Sequence, residues 1–322
     1  MTASFRRIDY SLRPAKYAER RMLSEVFRRL RPFQPVEEYL YVGFGSVWFS
    51  DFILFHKALG IRDMISIEQA GKAAPRIIAN KPFRIHIDFR SSSKVLPELD
   101  WKRRQFLWLD YDDPLSPAML LDARTVAGNA TSGTVVALSV QCMRSPDVTA
   151  AELDDDPNGP PALVRFRQRF GRERVPQEVQ EDDLMGWPYG TVSRAMLVAE
   201  IAAALAVRNS NGKPDEMKFK TICEFEYEDG AKMTTLLGIF YRDSDVTTLE
   251  QCGFDKLEFL APGGRPVRIP VPKLTTREFR SLESQLPLKD GAELELGEIP
   301  AAEAKFFAEM YRYLPNFAVI ES

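Results

Sequence analysis

Residues 39–69 read YLYVGFGSVWFSDFILFHKALGIRDMISIEQ. An apolar run stops at Gly43 and Gly45, and a second apolar run stops at Glu68, about twenty residues on. Paired glycines after a strand let the backbone turn sharply and approach a ligand closely. A carboxylate ending the next strand can accept from the hydroxyls of a ribose. Together they describe a site for a nucleoside-bearing cofactor. A nicotinamide dinucleotide would also need its pyrophosphate against the following helix, with a third glycine for close packing. Trp48 stands at that position, and its indole crowds the approach.

The second informative stretch is FLWLDYDDPLS. Asp110 ends an apolar strand, and Asp112 and Asp113 follow it. A carboxylate held there can take the proton of an acceptor hydroxyl. Three close carboxylates could instead hold a divalent metal or a cationic acceptor. The competing reading of Asp112 and Asp113 is that they cap a helix starting near Pro114.

The elements that position these residues follow a regular rhythm. AKYAERRMLSEVFRRL has the spacing of an amphipathic helix with an arginine-rich outer face. EYLYVGFG, DMISIE, FRIHIDF, FLWLDYDD and GTVVALSVQC read as five short buried strands alternating with helices. That alternation predicts a parallel α/β sheet with right-handed crossovers. Residues 147–188 break the rhythm with proline and acid, as an insertion would. TVSRAMLVAEIAAALAVRN is a helix, and FKTICEFEYEDGAKMTTLLGIFYR is a hairpin turning at Asp229-Gly230. The predicted organisation is a basic N-terminal helix over 1–35, a core over 36–243 and a C-terminal extension or small cap over 244–322. In that cap, RPVRIPVP is a short strand followed by two helices.

Composition narrows the classes. Apolar residues make up 45% and charged residues 28%, which argues against global disorder and a coiled coil. The apolar stretches are broken by charge or glycine before a membrane-spanning length. The first residues lack an apolar signal core. Cys142, Cys223 and Cys252 have no metal-ligand spacing, and with only His56 and His86 a His/Cys metal site is not expected. The expectation is a cytoplasmic protein with reduced thiols. The net charge of −3 excludes a wholly basic nucleic-acid binder. Arg6, Arg7, Arg13, Lys16, Arg20, Arg21, Arg28, Arg29 and Arg31 nevertheless concentrate cations at the N-terminus.

In RPAK…ER, GFGS…F.DF, ISIE and WLDYD, and in the order of elements over 36–242, the sequence resembles class I S-adenosylmethionine-dependent methyltransferases. It looks most like bacterial proteins grouped as O-methyltransferases. The resemblance implies a Rossmann-like, seven-stranded sheet, five parallel strands plus a C-terminal antiparallel hairpin. It also implies S-adenosylmethionine as cofactor. That cofactor has no phosphates and tolerates Trp48. Gly43, Gly45 and Glu68 would bind it, and Ser91 and Ser92 stand where related enzymes contact adenine. A helix N-cap is the other reading of those serines. The sequence departs from the pattern at Tyr41, where an acid is usual, and at Val47, the third glycine; Asp51 or Glu38 could replace the acid. The metal-ligating Asp-Asn pair of catechol-type enzymes is missing from GTVVALSVQC, so no metal is expected.

Asp110 and Asp112 are therefore the catalytic candidates. Lys16 and Arg20, four apart, could clamp a phosphate or carboxylate of the acceptor, or form a solvated basic face. Trp187 and Tyr189, in a Gly- and Pro-marked loop, could cover a planar acceptor, or pack in the core. The expected partner is a small-molecule or nucleotide acceptor. RNA enters only through the basic helix, a membrane is not expected, and a protein partner or homo-oligomer stays open. Two alternatives accompany the O-directed methyltransferase: a catalytically inactive methyltransferase-fold binding protein, and an RNA- or nucleotide-modifying methyltransferase.

Overall fold

The computed structural model describes residues 13–315, apart from 70, 155, 157, 158, 211, 213, 290 and 291. Arg6 and Arg7 of the expected basic run lie outside the described residues. The strands are β1 (Leu40–Gly43), β2 (Asp63–Ile67), β3 (His86–Asp88), β4 (Gln105–Pro114), β5 (Val135–Gln141), β6 (Met217–Glu228), β7 (Lys232–Arg242) and β8 (Val267–Arg268). They form one eight-stranded sheet in the order β3-β2-β1-β4-β5-β7-β6-β8. Pairings from β3 to β5 are parallel, and β7 runs antiparallel to both β5 and β6. This is the Rossmann-like sheet expected, with one strand more. The sequence RPVRIPVP supplies that strand: Val267 and Arg268 pair with Phe225 and Glu226, covering an edge that would otherwise be left unpaired.

The helices are α1 (Pro14–Arg28), α2 (Ser50–Leu59), α3 (Ala74–Ala79), α4 (Ser92–Val95), α5 (Pro117–Asn129), α6 (Pro146–Glu152), α7 (Ala162–Phe170), α8 (Gly186–Asn209), α9 (Val246–Gln251), α10 (Thr276–Glu283) and α11 (Ala301–Met310). Strand alternation divides the core in two. Tyr41 and Phe106 face a layer with α1, α2 and the C-terminal helices. Val42 and Leu107 face a layer with α5, α7 and α8. β1 is buried along its whole length because both layers cover it.

α1 differs from its expected role as a helix with one wet face. Phe27 stacks on Phe106 at 4.2 Å, anchoring the helix to the sheet. On its other side Arg29 donates to the carbonyls of Gly253 and Lys256, at 2.7 and 2.8 Å. Tyr313 is bonded to Glu25 at 3.1 Å. Held between sheet and C-terminal segment, the helix buries Lys16, Glu19 and Arg20 and leaves Arg21, Arg28 and Arg31 exposed.

Two further expectations are corrected. α8 begins at Gly186, so Trp187 and Tyr189 lie in its first turn and not in a loop. Pro188 is tolerated there because first-turn N–H groups have no helical partner. α8 is also long and apolar enough to cross a membrane by length and composition, although 56% of its apolar window is buried inside this fold.

The start of α1 has Pro14 in its first turn and no capping bond from Arg13. Asp229, at the β6–β7 turn, accepts from the N–H groups of Ala15 and Lys16 at 3.3 and 2.8 Å. A hairpin more than two hundred residues away thus caps the helix. Asp229→Ala is expected to lower stability by about 1 kcal/mol and to speed amide exchange in the first turn of α1. A urea midpoint and exchange pattern equal to wild type would show that the cap contributes nothing.

Candidate functional site

Between β1 and α2 the chain turns through residues 44–49 at the carboxyl edge of the sheet, beside the place where strand order reverses. Ser46 and Phe49 take left-handed backbone, with φ of 50° and 47°. Side-chain-bearing residues rarely do so, and such strain persists where the surroundings over-determine it. Here the surroundings are β2: Gly45 N–H donates to Ser66 Oγ at 3.0 Å, and Ser66 Oγ donates to Glu68 Oε1 at 2.7 Å. Ser46 N–H reaches the same Oε1 at 2.8 Å. The carboxylate expected to hold a ribose therefore also builds the glycine loop.

The glycines are required for a reason the sequence does not reveal. A Cβ on Gly43 would lie 2.5 Å from the Tyr41 hydroxyl and 3.2 Å from Asp51 Oδ2. A Cβ on Gly45 would enter the Phe49 ring and come within 2.8 Å of Ser66 Oγ. The chain's own side chains occupy those spaces. Tyr41 Oη donates a very short hydrogen bond to Asp51 Oδ2. An acid from the first turn of α2 is thus bonded to the side chain that stands where β1 has none, close to Gly43 at the end of that strand. Glu38, the other candidate substitute, is exposed in a 3-10 turn before the start of β1.

Glu68 is 8% exposed. Burial raises its pKa above the ordinary 4.5, with the bonds from Ser66 and Ser46 opposing the rise. Both side-chain hydrogen bonds end on Oε1, which leaves Oε2 to accept from a diol. Burial likewise raises the Asp51 carboxyl, opposed by the charge of Arg20 and the Tyr41 bond. These groups fit a cofactor that carries a ribose.

Asp110 does not end its strand as expected: β4 continues to Pro114, and Asp110 stands where the buried run Gln105–Leu109 stops, just before a bulge in the pairing with β5 between Asp110 and Pro114. Its Oδ1 accepts from Lys16 Nζ at 2.5 Å. Lys16 is only 1% exposed, and its ammonium also reaches Glu19 Oε2 at 2.9 Å and Tyr227 Oη at 2.8 Å. It lies 4.4 Å from the centre of the Trp108 ring. Thr235 donates to Glu19 and is bonded to Ser139 at 2.7 Å, and Trp108 Nε1 donates to Ser139 at 3.0 Å. Lys16 is therefore not on a basic face; its donors are taken by Asp110 and Tyr227 of the sheet and by Glu19 of its own helix. Arg20 is buried one turn later on the same helix.

The other candidates divide. Ser92 Oγ is bonded to Asp122 of α5, which also accepts from Tyr111 Oη at 2.7 Å. Ser91 stands at the N-cap position of α4 without a capping bond, its hydroxyl 2.9 Å from that of Ser93. Asp112 and Asp113 are exposed residues of β4. They do not cap a helix: α5 starts at Pro117 and is capped by Ser116, which accepts from Met119 N–H. Trp187 is half-buried between Lys232 and Arg268, at 5.3 and 5.5 Å. Tyr189 is fully buried and meets Phe166 edge-on at 6.2 Å, a core contact.

Sequence reasoning missed Glu19, Tyr227 and Thr235, which complete the Lys16 network from distant elements. One signal was present: Lys16 and Glu19 are three apart on a helix whose apolar stripe they adjoin.

A family model described as "Putative O-methyltransferase" matches residues 8–322. No curated protein matches the sequence. Among solved structures, Trm1 from Pyrococcus horikoshii with S-adenosyl-L-methionine aligns at TM-score 0.42 and 12% identity, covering 72% of this chain and 58% of that one. DesVI from Streptomyces venezuelae aligns at TM-score 0.31 and 13% identity over 42% of this chain and 55% of that one. The sugar N-methyltransferase KedS8 from a Streptoalloteichus species aligns at 0.29 and 11%, over 39% and 49%. The chain spans about half the length of the last two, and likenesses this low carry no inference about what it acts on.

Because the Glu68 pKa is raised on folding, the unfolded chain loses that proton first. Stability therefore falls as pH rises above about 4.5 and stays lower once the folded-state group has ionised. Glu68→Gln is expected to gain stability relative to wild type as pH passes upward through that window, while binding S-adenosylmethionine more weakly. Urea titrations on both sides of the window, with calorimetric titration of the ligand, test both effects. Undiminished binding would remove Glu68 from the site.

Proposed function

The chain belongs to this O-methyltransferase family, and from that premise we propose that it methylates an oxygen of a small-molecule or nucleotide acceptor, with Asp110 orienting or deprotonating the acceptor hydroxyl. Membership in that family supports S-adenosylmethionine as the methyl donor. When bound, that cofactor supplies a methyl group already activated on a sulfonium, so the protein contributes mainly position.

The observation that carries the proposal is Asp110 itself. Its carboxylate is fixed by a buried side chain, at 2.5 Å from Lys16 Nζ. Asp112 and Asp113 are exposed on the bulge that follows. Lys16 holds the Asp110 carboxylate by one oxygen, leaving Oδ2 for an acceptor proton. Tyr41 and Asp51, on the neighbouring strand and helix, supply the polar surface that β1 lacks in sequence. This replacement favours an active enzyme over a binding protein that has kept only the fold.

The RNA-modifying alternative has less support. It rested on Lys16 and Arg20, both buried. Arg21, Arg28 and Arg31 are the exposed cations left on and just after α1.

Titration with S-adenosylmethionine and S-adenosylhomocysteine should show binding, followed by a methyl-transfer screen of nucleotides and small hydroxyl compounds. With an acceptor in hand, Asp110→Asn is expected to lower turnover by roughly 10²–10⁴-fold while S-adenosylhomocysteine still binds. Full activity in that variant, or transfer only to nitrogen, would overturn the proposal.

A further inference from the structure

Lys16, Glu19, Asp51 and Asp110 each have a bonded partner at this site. Arg20 does not. It is 7% exposed, and its Nε is sealed from solvent with nothing to donate to. Among the described residues no hydrogen bond or ion pair reaches its guanidinium. A buried guanidinium whose donors have no acceptor is expensive, and structures keep one where something else supplies the acceptor.

Its place in the fold says what that anion is. Arg20 follows Lys16 by one turn of α1, on the same face. Lys16 bonds to β4 and β6, and the charge of Arg20 acts on Asp51 of α2 and Tyr41 of β1 as well as on Tyr227 of β6. α1 and α2 pack into one core with Tyr41, and Asp51 Oδ2 stands beside Gly43, so a guanidinium and a carboxylate face the end of β1 from the same layer. That pair complements an α-amino acid: the guanidinium donates to its carboxylate, and the aspartate accepts from its ammonium. Glu68, which suits a ribose, stands just past the end of β2, across the glycine loop. S-adenosylmethionine and S-adenosylhomocysteine carry an amino-acid group at the end opposite adenine, with the ribose between.

We propose that Arg20 binds the α-carboxylate, and the Tyr41-bonded Asp51 the α-ammonium, of the cofactor's methionine moiety. This rests on the cofactor reading of Glu68 and the glycine loop. Arg20 becomes a cofactor-binding residue and no longer an acceptor clamp. The usual acid of β1 can be tyrosine here because the amino-acid contact has moved to α1 and α2.

Three ligands separate the ends of the site in calorimetric titration: S-adenosylhomocysteine, decarboxylated S-adenosylmethionine, which lacks only the carboxylate, and 5′-methylthioadenosine, which lacks the amino-acid group. Wild-type protein is expected to bind decarboxylated S-adenosylmethionine roughly 10–100-fold more weakly than S-adenosylmethionine, the loss of a charge-assisted contact. Arg20→Gln is expected to weaken S-adenosylhomocysteine by a similar factor while leaving 5′-methylthioadenosine unchanged, and Arg20→Lys to recover part of the loss. Equal wild-type affinity for the carboxylated and decarboxylated ligands would overturn the Arg20 assignment and leave the cofactor site standing. An equal loss of S-adenosylhomocysteine and 5′-methylthioadenosine in Arg20→Gln would overturn it too, marking a structural role. Failure of wild type to bind any of the three would remove the cofactor site and this assignment with it. The wild-type comparison decides the matter even if both variants fail to fold.

Discussion

One ammonium group ties this molecule together. Lys16 Nζ is enclosed by Asp110, Glu19 and Tyr227 and lies over the Trp108 ring. Burying a charge costs several kcal/mol before any pairing. Its partners come from α1, β4 and β6, segments separated by up to 211 residues. Once the lysine is inside, each of them has to stay in register, because removing a single partner would strand the others away from water. The same contact places Asp110, so the group we propose meets the acceptor is positioned by the packing of the first helix.

That dependence explains the outer architecture. A helix carrying buried Lys16, Glu19 and Arg20 cannot be left to fray. Asp229 caps its start from the β6–β7 turn, Phe27 stacks on Phe106, and Arg29 and Glu25 engage the C-terminal segment. The C-terminal residues therefore share a core with the first helix: Phe279, Leu282 and Phe307 belong to the same hydrophobic cluster as Met22 and Phe27.

The glycine loop shows how a departure in sequence is absorbed in space. Tyr41 stands where an acid is usual, which at the level of sequence reads as a possible loss of cofactor binding. In the fold its hydroxyl meets Asp51, ten residues on, and the end of β1 regains a carboxylate. Gly43 and Gly45 are kept free of side chains by Tyr41 and Phe49, so the motif and its departures form one packing solution.

The strands, the glycine turn and the position of Glu68 just past β2 were legible in the sequence because each depends on local periodicity or on the residue that follows a strand, whereas β4 runs on past Asp110 to Pro114. Short apolar runs alternating with helices leave few ways to build a sheet, and ligand groups collect at its carboxyl edge. Three things were not legible. Lys16 and Arg20 read as surface cations because a helical pattern shows which face is apolar, not whether a C-terminal segment covers the rest. Trp187 and Tyr189 read as loop because Gly186 and Pro188 are also permitted in a helix's first turn. The partners of Lys16 and the cap from Asp229 come from strands far along the chain, and no local pattern records which distant side chain will fill a buried charge's need. The sequence by itself determined the sheet and the site's address; tertiary packing decided which charges line it, because pairing a buried ion is a demand that only the assembled fold can meet.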